Sequence, residues 1–313
     1  MYIFFLIFDM NTSKPSISTG TLAQLLGPKF VARLDTLDVV SRKILQGRLH
    51  GERRSKRRGQ SVEFADHRPY VPGDDLRFVD WNVYGRLEQL FLKLFLEDQD
   101  LTVQLVVDAS GSMTTGEPAK SRFVQQLAAA LGYVSLAGNN RLTLSFFADG
   151  LVTQMPHMRG RNYVGRMADL LLTTPFEGAS DFEKACRQIA AGRIGTGIVI
   201  VLSDFLFKAG YEAGLRQLMG RQYDLYAIQV LSPQEVDPPL GGDLRLIDIE
   251  DADESEITVS AALMAHYKRN LSAYCNELGQ FCTRRGGVHI LATSSDSVET
   301  LVLNYLRRVR LLR

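Results

Sequence analysis

Two stretches of this chain are apolar with almost no alternation. Leu101–Val107 (LTVQLVV) and Gly197–Leu202 (GIVIVL) each end abruptly in small polar residues, DASGS at 108–112 and Ser203-Asp204. Continuous apolar runs of this length fit strands buried on both faces, as in a parallel sheet covered by helices. Around them the hydrophobic period switches repeatedly. It predicts a helix over Ala119–Leu136, a strand over Leu142–Phe147, and a hairpin at Asp149-Gly150 leading to an edge strand, Leu151–Met155. Helices follow over Tyr163–Leu172 and Asp181–Ala191, then the Gly197 strand, a helix over Glu212–Met219 and a strand over Leu225–Leu231. Leu244–Ile249 and Glu256–Val259 flank an acidic tip, and a helix (Ala261–Arg285), a strand (Val288–Ala292) and a basic terminal helix (Val298–Arg313) close the pattern. This alternation predicts an α/β fold with a doubly wound, mostly parallel sheet over 101–313. Ahead of it, 1–20 reads as a flexible tail and 21–100 as an extension, with a short and a longer helix in Thr21–His50.

In open α/β sheets, ligands bind outside the carboxyl ends of the strands. Asp108, Ser110 and Ser112 therefore stand where a site is expected, and Asp204 repeats the arrangement at the end of the second apolar strand. Between them, Glu177-Gly178-Ala179-Ser180-Asp181 precedes a helical stretch and puts the Ser180 hydroxyl at a helix N-terminus. Carboxylates and hydroxyls are hard oxygen donors, suited to Mg²⁺ or Mn²⁺ rather than to a thiophilic metal. Taken singly, each of these residues is also what turns and helix caps use.

The D-x-S-x-S spacing, a hydroxyl on a second loop and a carboxylate on a third together resemble the von Willebrand factor A fold with its metal-ion-dependent adhesion site. That resemblance implies a von Willebrand factor A-like domain holding one divalent ion, Mg²⁺ or Mn²⁺, through Asp108, Ser110, Ser112, Ser180 and Asp204. Ser180 stands where the family has threonine, which keeps the hydroxyl and loses a methyl.

Charge changes the picture locally rather than globally. The formal net charge is +1, which supplies no field to draw the whole protein to nucleic acid or an anionic membrane. Arg42–Arg58, however, holds eight Lys/Arg against Glu52 alone, a local net of +7. It has no interleaved aromatics for base stacking, so an acidic protein surface suits it better than nucleic acid. Cys186, Cys275 and Cys282 form no C-x-x-C pair and fit a reducing cytosol. Met1–Phe8 is apolar but too short to span a bilayer and lacks a positive n-region, so a soluble cytoplasmic protein is expected.

Ser61–Trp81 mixes charges and aromatics, with a Pro72-Gly73 turn and Asp74 and Asp75 placed to cap Leu76–Asp80. It predicts a partly buried ion-pair network around Trp81. The ordered residues E-F, R-x-Y-x-P-G-D-D-x-R and D-W, then Leu92-Lys93-Leu94-Phe95 and the site strand, resemble a bacterial group, domain-of-unknown-function family 58. The resemblance runs from about Arg53 to the C-terminus. It implies a partner among MoxR-type AAA+ ATPases, which are often encoded beside such proteins.

No G-x-x-x-x-G-K-[ST], H-E-x-x-H or G-x-S-x-G is present. Two functions remain. A divalent ion held by two carboxylates and neutral hydroxyls keeps an open position for a partner's Asp or Glu, which describes a non-enzymatic, metal-dependent interaction module. The alternative is a Mg²⁺-dependent phosphoryl hydrolase or transferase with Asp108 as nucleophile. Haloacid dehalogenase-type enzymes need a second Asp where this chain has Ser110, and the nearest lysine in sequence to the proposed loops is taken to be Lys184.

Overall fold

The computed structural model describes residues 19–41, 63–96, 101–192, 197–219, 223–239, 242–247 and 254–313. The Met1–Phe8 run, the Arg42–Arg58 cluster and most of the acidic tip lie outside these residues. The chain divides into two compact units, one joining 1–46 to 101–313 and the other spanning 47–100. A boundary at residue 100 thus separates Thr19–Leu25 (α1) and Pro28–Leu34 (α2) from the body they belong to.

The body is built on a six-stranded sheet. Its strands are β3 (Thr102–Asp108), β4 (Arg141–Ala148), β5 (Gly150–Met158), β6 (Gly197–Ser203), β7 (Tyr223–Leu231) and β10 (Val288–Thr293), in the order β10-β7-β6-β3-β4-β5. All neighbours are parallel except β4 and β5, which the Asp149-Gly150 hairpin joins antiparallel. The doubly wound, mostly parallel α/β class expected from the pattern is therefore the one observed. From β3 the chain winds outward through β4 and then returns to β6 on the other side. The switch point lies between the carboxyl ends of β3 and β6, where both Asp108 and Asp204 emerge.

Period-two alternation feeds two separate cores. Val103, Leu105 and Val107 of β3, with Ile198, Ile200 and Leu202 of β6, share one cluster with helix α4 (Lys120–Ala137), helix α5 (Val164–Thr173), α1, α2 and the terminal Leu301–Leu306. Val106, Val199 and Val201 point the other way, onto α6 (Phe182–Ala191), α7 (Glu212–Leu218) and α9 (Ala261–Arg284). A strand buried on both faces cannot show polar alternation, which is why these two runs read as continuous. Cys275 and Cys282, on α9, are buried as small core residues.

The sheet tolerates no side chain at Gly197. A Cβ there would stand 1.9 Å from the Thr102 carbonyl oxygen on β3. At the far margin of the body, Val39 bridges Leu312, with reciprocal backbone bonds between Asp38 and Arg313. The terminal helix expected over Val298–Arg313 is broken by a π turn at Leu301–Tyr305 and ends at Arg308. Strands β8 (Gly242–Ile247) and β9 (Glu254–Val259) form a separate antiparallel pair. Among the described residues no helix is long and apolar enough to cross a membrane.

In the second unit, β1 (Glu63–Pro69) pairs antiparallel with β2 (Phe91–Leu96). Asp75 caps a single 3₁₀ turn, Leu76–Phe78, and Asp80 caps a helix, Trp81–Leu87 (α3), by accepting from the amides of Asn82 and Val83. Among the described residues, Arg68 pairs with Asp74 and Arg77 with Asp75, and His67 Nε2 lies in hydrogen-bond reach of Asp80 at 3.0 Å. Trp81 is 60% exposed, so the partly buried surroundings expected for that ring are corrected to an open surface position.

Candidate functional site

Asp108 is the last residue of β3 and is wholly buried. Ser110 donates its amide and its hydroxyl to Asp108 Oδ1, at 3.0 and 2.6 Å, and the Ser203 hydroxyl donates to Oδ2 at 2.6 Å. The carboxylate is thus fixed by its own loop and by the neighbouring strand. Burial, followed by the negative charge of Asp204, pushes the Asp108 carboxyl up to about 7, against the opposing pull of the Ser110 and Ser203 hydrogen bonds.

The two loop serines are positioned as a pair. Ser110 Oγ and Ser112 Oγ are 3.1 Å apart. Ser110 spends its one proton on Asp108, so Ser112 is the donor between them and Ser110 keeps one lone pair for a cation. Two adjacent ligands of an octahedral Mg²⁺, each at 2.0–2.1 Å, stand roughly 2.9 Å apart, so the hydroxyl separation fits a shared edge of such a shell. Asp108 accepts the Ser110 proton and fixes the direction of that hydroxyl, which is what a carboxylate does in support of a ligating group wherever a metal is bound.

The second loop is docked on the first by the backbone. Gly111 donates to the Gly178 carbonyl (2.9 Å) and Glu177 donates to the Ala109 carbonyl (2.8 Å). Gly178 makes the turn with φ +82°, a conformation that costs most residues energy. This brings the half-buried Ser180 to the strand ends, but the helix cap is Asp181, whose carboxylate accepts from the Lys184 amide. The expectation that Ser180 begins that helix is off by one residue.

The third loop carries Asp204, also buried. Its Oδ1 accepts from the Leu206 amide at 3.1 Å and its carbonyl accepts from Gln229 Nε2 at 3.0 Å. Phe205 holds φ +58°, a left-handed backbone that is a true outlier for a bulky residue, and its amide donates to Ser203 Oγ. Packing holds it there. The Phe205 ring is fully buried among Phe182 and Phe207, and Tyr274 donates its hydroxyl to the Phe205 carbonyl.

The residue that sequence reasoning missed is Lys120. Its ammonium is fully buried and donates to Asp204 Oδ2 at 2.7 Å and to Glu235 Oε1. Burial works against the charged form, but the charges of Asp204 and Glu235 outweigh it and hold the lysine above its ordinary range. The nearest lysine to the site is thus Lys120 and not Lys184, which pairs with Asp149. Glu235 belongs to α8 (Pro233–Val236), where it closes a capping box with Ser232. Gly116, at φ +88°, lets the loop ahead of Lys120 approach that box, since a Cβ there would lie 2.3 Å from Ser232 Cβ.

The arrangement gathers two carboxylates and neighbouring hydroxyls at the ends of adjacent strands. Among the described residues, no group of three or more His, Cys, Asp or Glu side chains could hold a metal, so any ion here depends on the serines. Hydroxyl and carboxylate oxygen is the donor chemistry of Mg²⁺ or Mn²⁺, and the Ser110–Ser112 edge fits it.

A family described as "Protein of unknown function DUF58" matches residues 66–291. An uncharacterized protein of Mycobacterium tuberculosis is 30% identical over 288 residues, covering 90% of this chain and 89% of that relative. One from Mycobacterium avium is 26% identical over 148 residues, covering 46% and 86% respectively. Among solved structures, the conserved hypothetical protein BatB from Bacteroides thetaiotaomicron shares 12% identity, with a TM-score of 0.43 over 66% of this chain and 98% of that one. The SpRpn10 VWA domain shares 11% identity, with a TM-score of 0.36 over 66% and 95%.

Proposed function

Because the chain belongs to the DUF58 family of proteins of unknown function, we propose that it is a non-enzymatic interaction module that binds a partner through a divalent ion at its strand-end site. Ser110 and Ser112 would hold Mg²⁺ or Mn²⁺ directly, with Asp108, Ser180 and Asp204 completing or supporting the shell. The observation that carries this reading is the pair of hydroxyl oxygens 3.1 Å apart, with the proton of one drawn onto a buried carboxylate. Lys120 takes up the charge of Asp204, so an ion beside it keeps positive character. Such an ion attracts an Asp or Glu side chain of a partner. The resemblance noted in the sequence points to a MoxR-type AAA+ ATPase as that partner.

A phosphoryl-transfer role for Asp108 is less well supported. Its carboxylate is wholly buried, and both oxygens already accept hydrogen bonds, so it is poorly disposed to attack a substrate. Lys120 is equally inaccessible and committed to two carboxylates.

Calorimetric titration of Mg²⁺ or Mn²⁺ into the wild type and Asp108→Ala tests the site. One ion per chain is expected for the first and a large loss of affinity for the second; equal binding by both would remove the assignment. Pull-down of a MoxR-type ATPase with and without EDTA tests the partner, and a complex undiminished by EDTA would exclude the metal from that interface. Phosphate release from monoesters and nucleotides should be no faster for the wild type than for Asp108→Ala.

A further inference from the structure

We infer that Lys120 is the resident cation of the site and that its ammonium competes with a divalent ion for Asp204, setting how tightly the metal is held. The inference rests on the metal reading above and concerns a residue outside the proposed ligand set.

A lysine normally snorkels its ammonium to water. Lys120 does not. It begins α4, the helix that leaves the site loop, and its side chain is fully buried. Its Nζ joins carboxylates from two further loops, Asp204 after β6 and Glu235 after β7, so one cation ties the carboxyl ends of three adjacent strands.

Each partner is itself immobilised. Glu235 Oε2 accepts from the Ser232 amide at 2.6 Å while Oε1 takes the lysine. The loop ahead of Lys120 is held by reciprocal bonds between Glu117 and Gln234, both 3.0 Å, and by the Ser294 hydroxyl on the Pro118 carbonyl at 2.6 Å. The socket is therefore rigid on every side.

For Asp204 the consequence is electrostatic. Oδ2 serves the ammonium and Oδ1 serves the Leu206 amide, so a metal that recruits this carboxylate shares Oδ2 with Lys120, displaces it, or binds Oδ1 with the ammonium still held on the other oxygen of the same group. An ammonium and a divalent ion close to one carboxylate repel each other in a site of low dielectric. Lys120 thus supplies charge compensation when no metal is bound and weakens the metal when one is. It is a positioning residue, since it acts through Asp204 and not on the ion.

The test uses the full chain and Mg²⁺ alone as probe. Lys120→Met keeps the length and apolar stem of the side chain and removes the charge. It should bind Mg²⁺ at least tenfold more tightly than the wild type. Its melting temperature should fall in EDTA, because buried Asp204 and half-buried Glu235 lose their counter-charge, and should recover with Mg²⁺ by more than the wild type gains. Glu235→Gln is the milder variant. It leaves the ammonium to Asp204 alone, tightens that pair, and should weaken Mg²⁺ binding several-fold.

If the wild type binds and Lys120→Met binds no better, the competition is refuted while the metal reading stands. If the wild type does not bind but Lys120→Met does, the competition is supported and the native protein uses its lysine in place of a metal. Absence of binding in every variant overturns both. Should Lys120→Met fail to fold, Glu235→Gln decides, with unchanged affinity counting against the inference.

Discussion

On the proposed metal reading, lowering the pH from 8 to 6 should weaken Mg²⁺ binding through Asp108. Without a metal, the Asp108 carboxyl is held at about 7, chiefly by burial and secondarily by the charge of Asp204. The neutral acid therefore dominates below pH 7, whereas metal binding draws on the carboxylate, so affinity is present above that value and is lost as pH falls through it. With a group titrating at about 7, roughly nine-tenths is protonated at pH 6 and roughly one-tenth at pH 8. The apparent Mg²⁺ affinity should then drop about tenfold across this interval, or about 1.4 kcal/mol. The same linkage releases about 0.9 proton per ion bound at pH 6 and about 0.1 at pH 8. Calorimetry in two buffers of different ionisation enthalpy measures both quantities at once. Stability moves in the matching direction. In EDTA, the contribution of this raised carboxyl is complete below its unfolded value near 3.8 and is lost as pH rises toward 7, so the metal-free protein should melt higher at pH 5 than at pH 8. Affinity that stays flat from pH 6 to 8, with no proton release, would show that Asp108 is ionised before the metal arrives, and the reasoning from its burial would fail.

Three further perturbations probe the scaffold. Gly197→Ala places a methyl against the Thr102 carbonyl on the central strand pair and should cost at least about 3 kcal/mol by denaturant unfolding, a substitution cost at or beyond ordinary overpacking. Phe182→Ala removes a buried ring stacked 4.5 Å from Phe207, and should cost about 3–5 kcal/mol and weaken metal binding by loosening the Asp204 loop. Asp80→Ala deletes the cap of Trp81–Leu87 and should destabilise its unit by about 1 kcal/mol, read as lost amide protection in hydrogen exchange, with Mg²⁺ affinity unchanged.

Most of the sheet could be read from the chain because its central strands feed two cores at once. A run such as GIVIVL has few other homes. Asp108 and Asp204 were legible for the same reason, as carboxylates standing where such strands stop. Lys120 was not, because its environment comes from residues 84 and 115 positions away, and a lysine opening a helix ordinarily faces water. Part of the signal was nevertheless present. Ser232-Pro233-Gln234-Glu235 spells a capping box, which fixes Glu235 at the end of β7, next to the strand that delivers Asp204. Ser203 was read only as a small polar residue following the strand, although it is the strand's last residue and its hydroxyl holds Asp108. Trp81 misled in the opposite sense, because a lone tryptophan among charges suggests a buried anchor where the chain exposes the ring.

The joining of residues 19–41 to the body makes the stretch from 42 to 100 an excursion from one fold rather than a preamble to it. Its two ends are held close. Ser41 donates to Asp224 at the start of β7, and the chain resumes at Leu101, beside the start of β3, two strands away. Two strand spacings amount to about 10 Å, a gap that four extended residues can span. By loop-closure entropy alone, replacing an excursion of about 60 residues with four would relieve the body of about 2 kcal/mol. The segment is a cassette in the topological sense: it enters and leaves the body beside two strands of one sheet, so its length is not tied to the order of those strands.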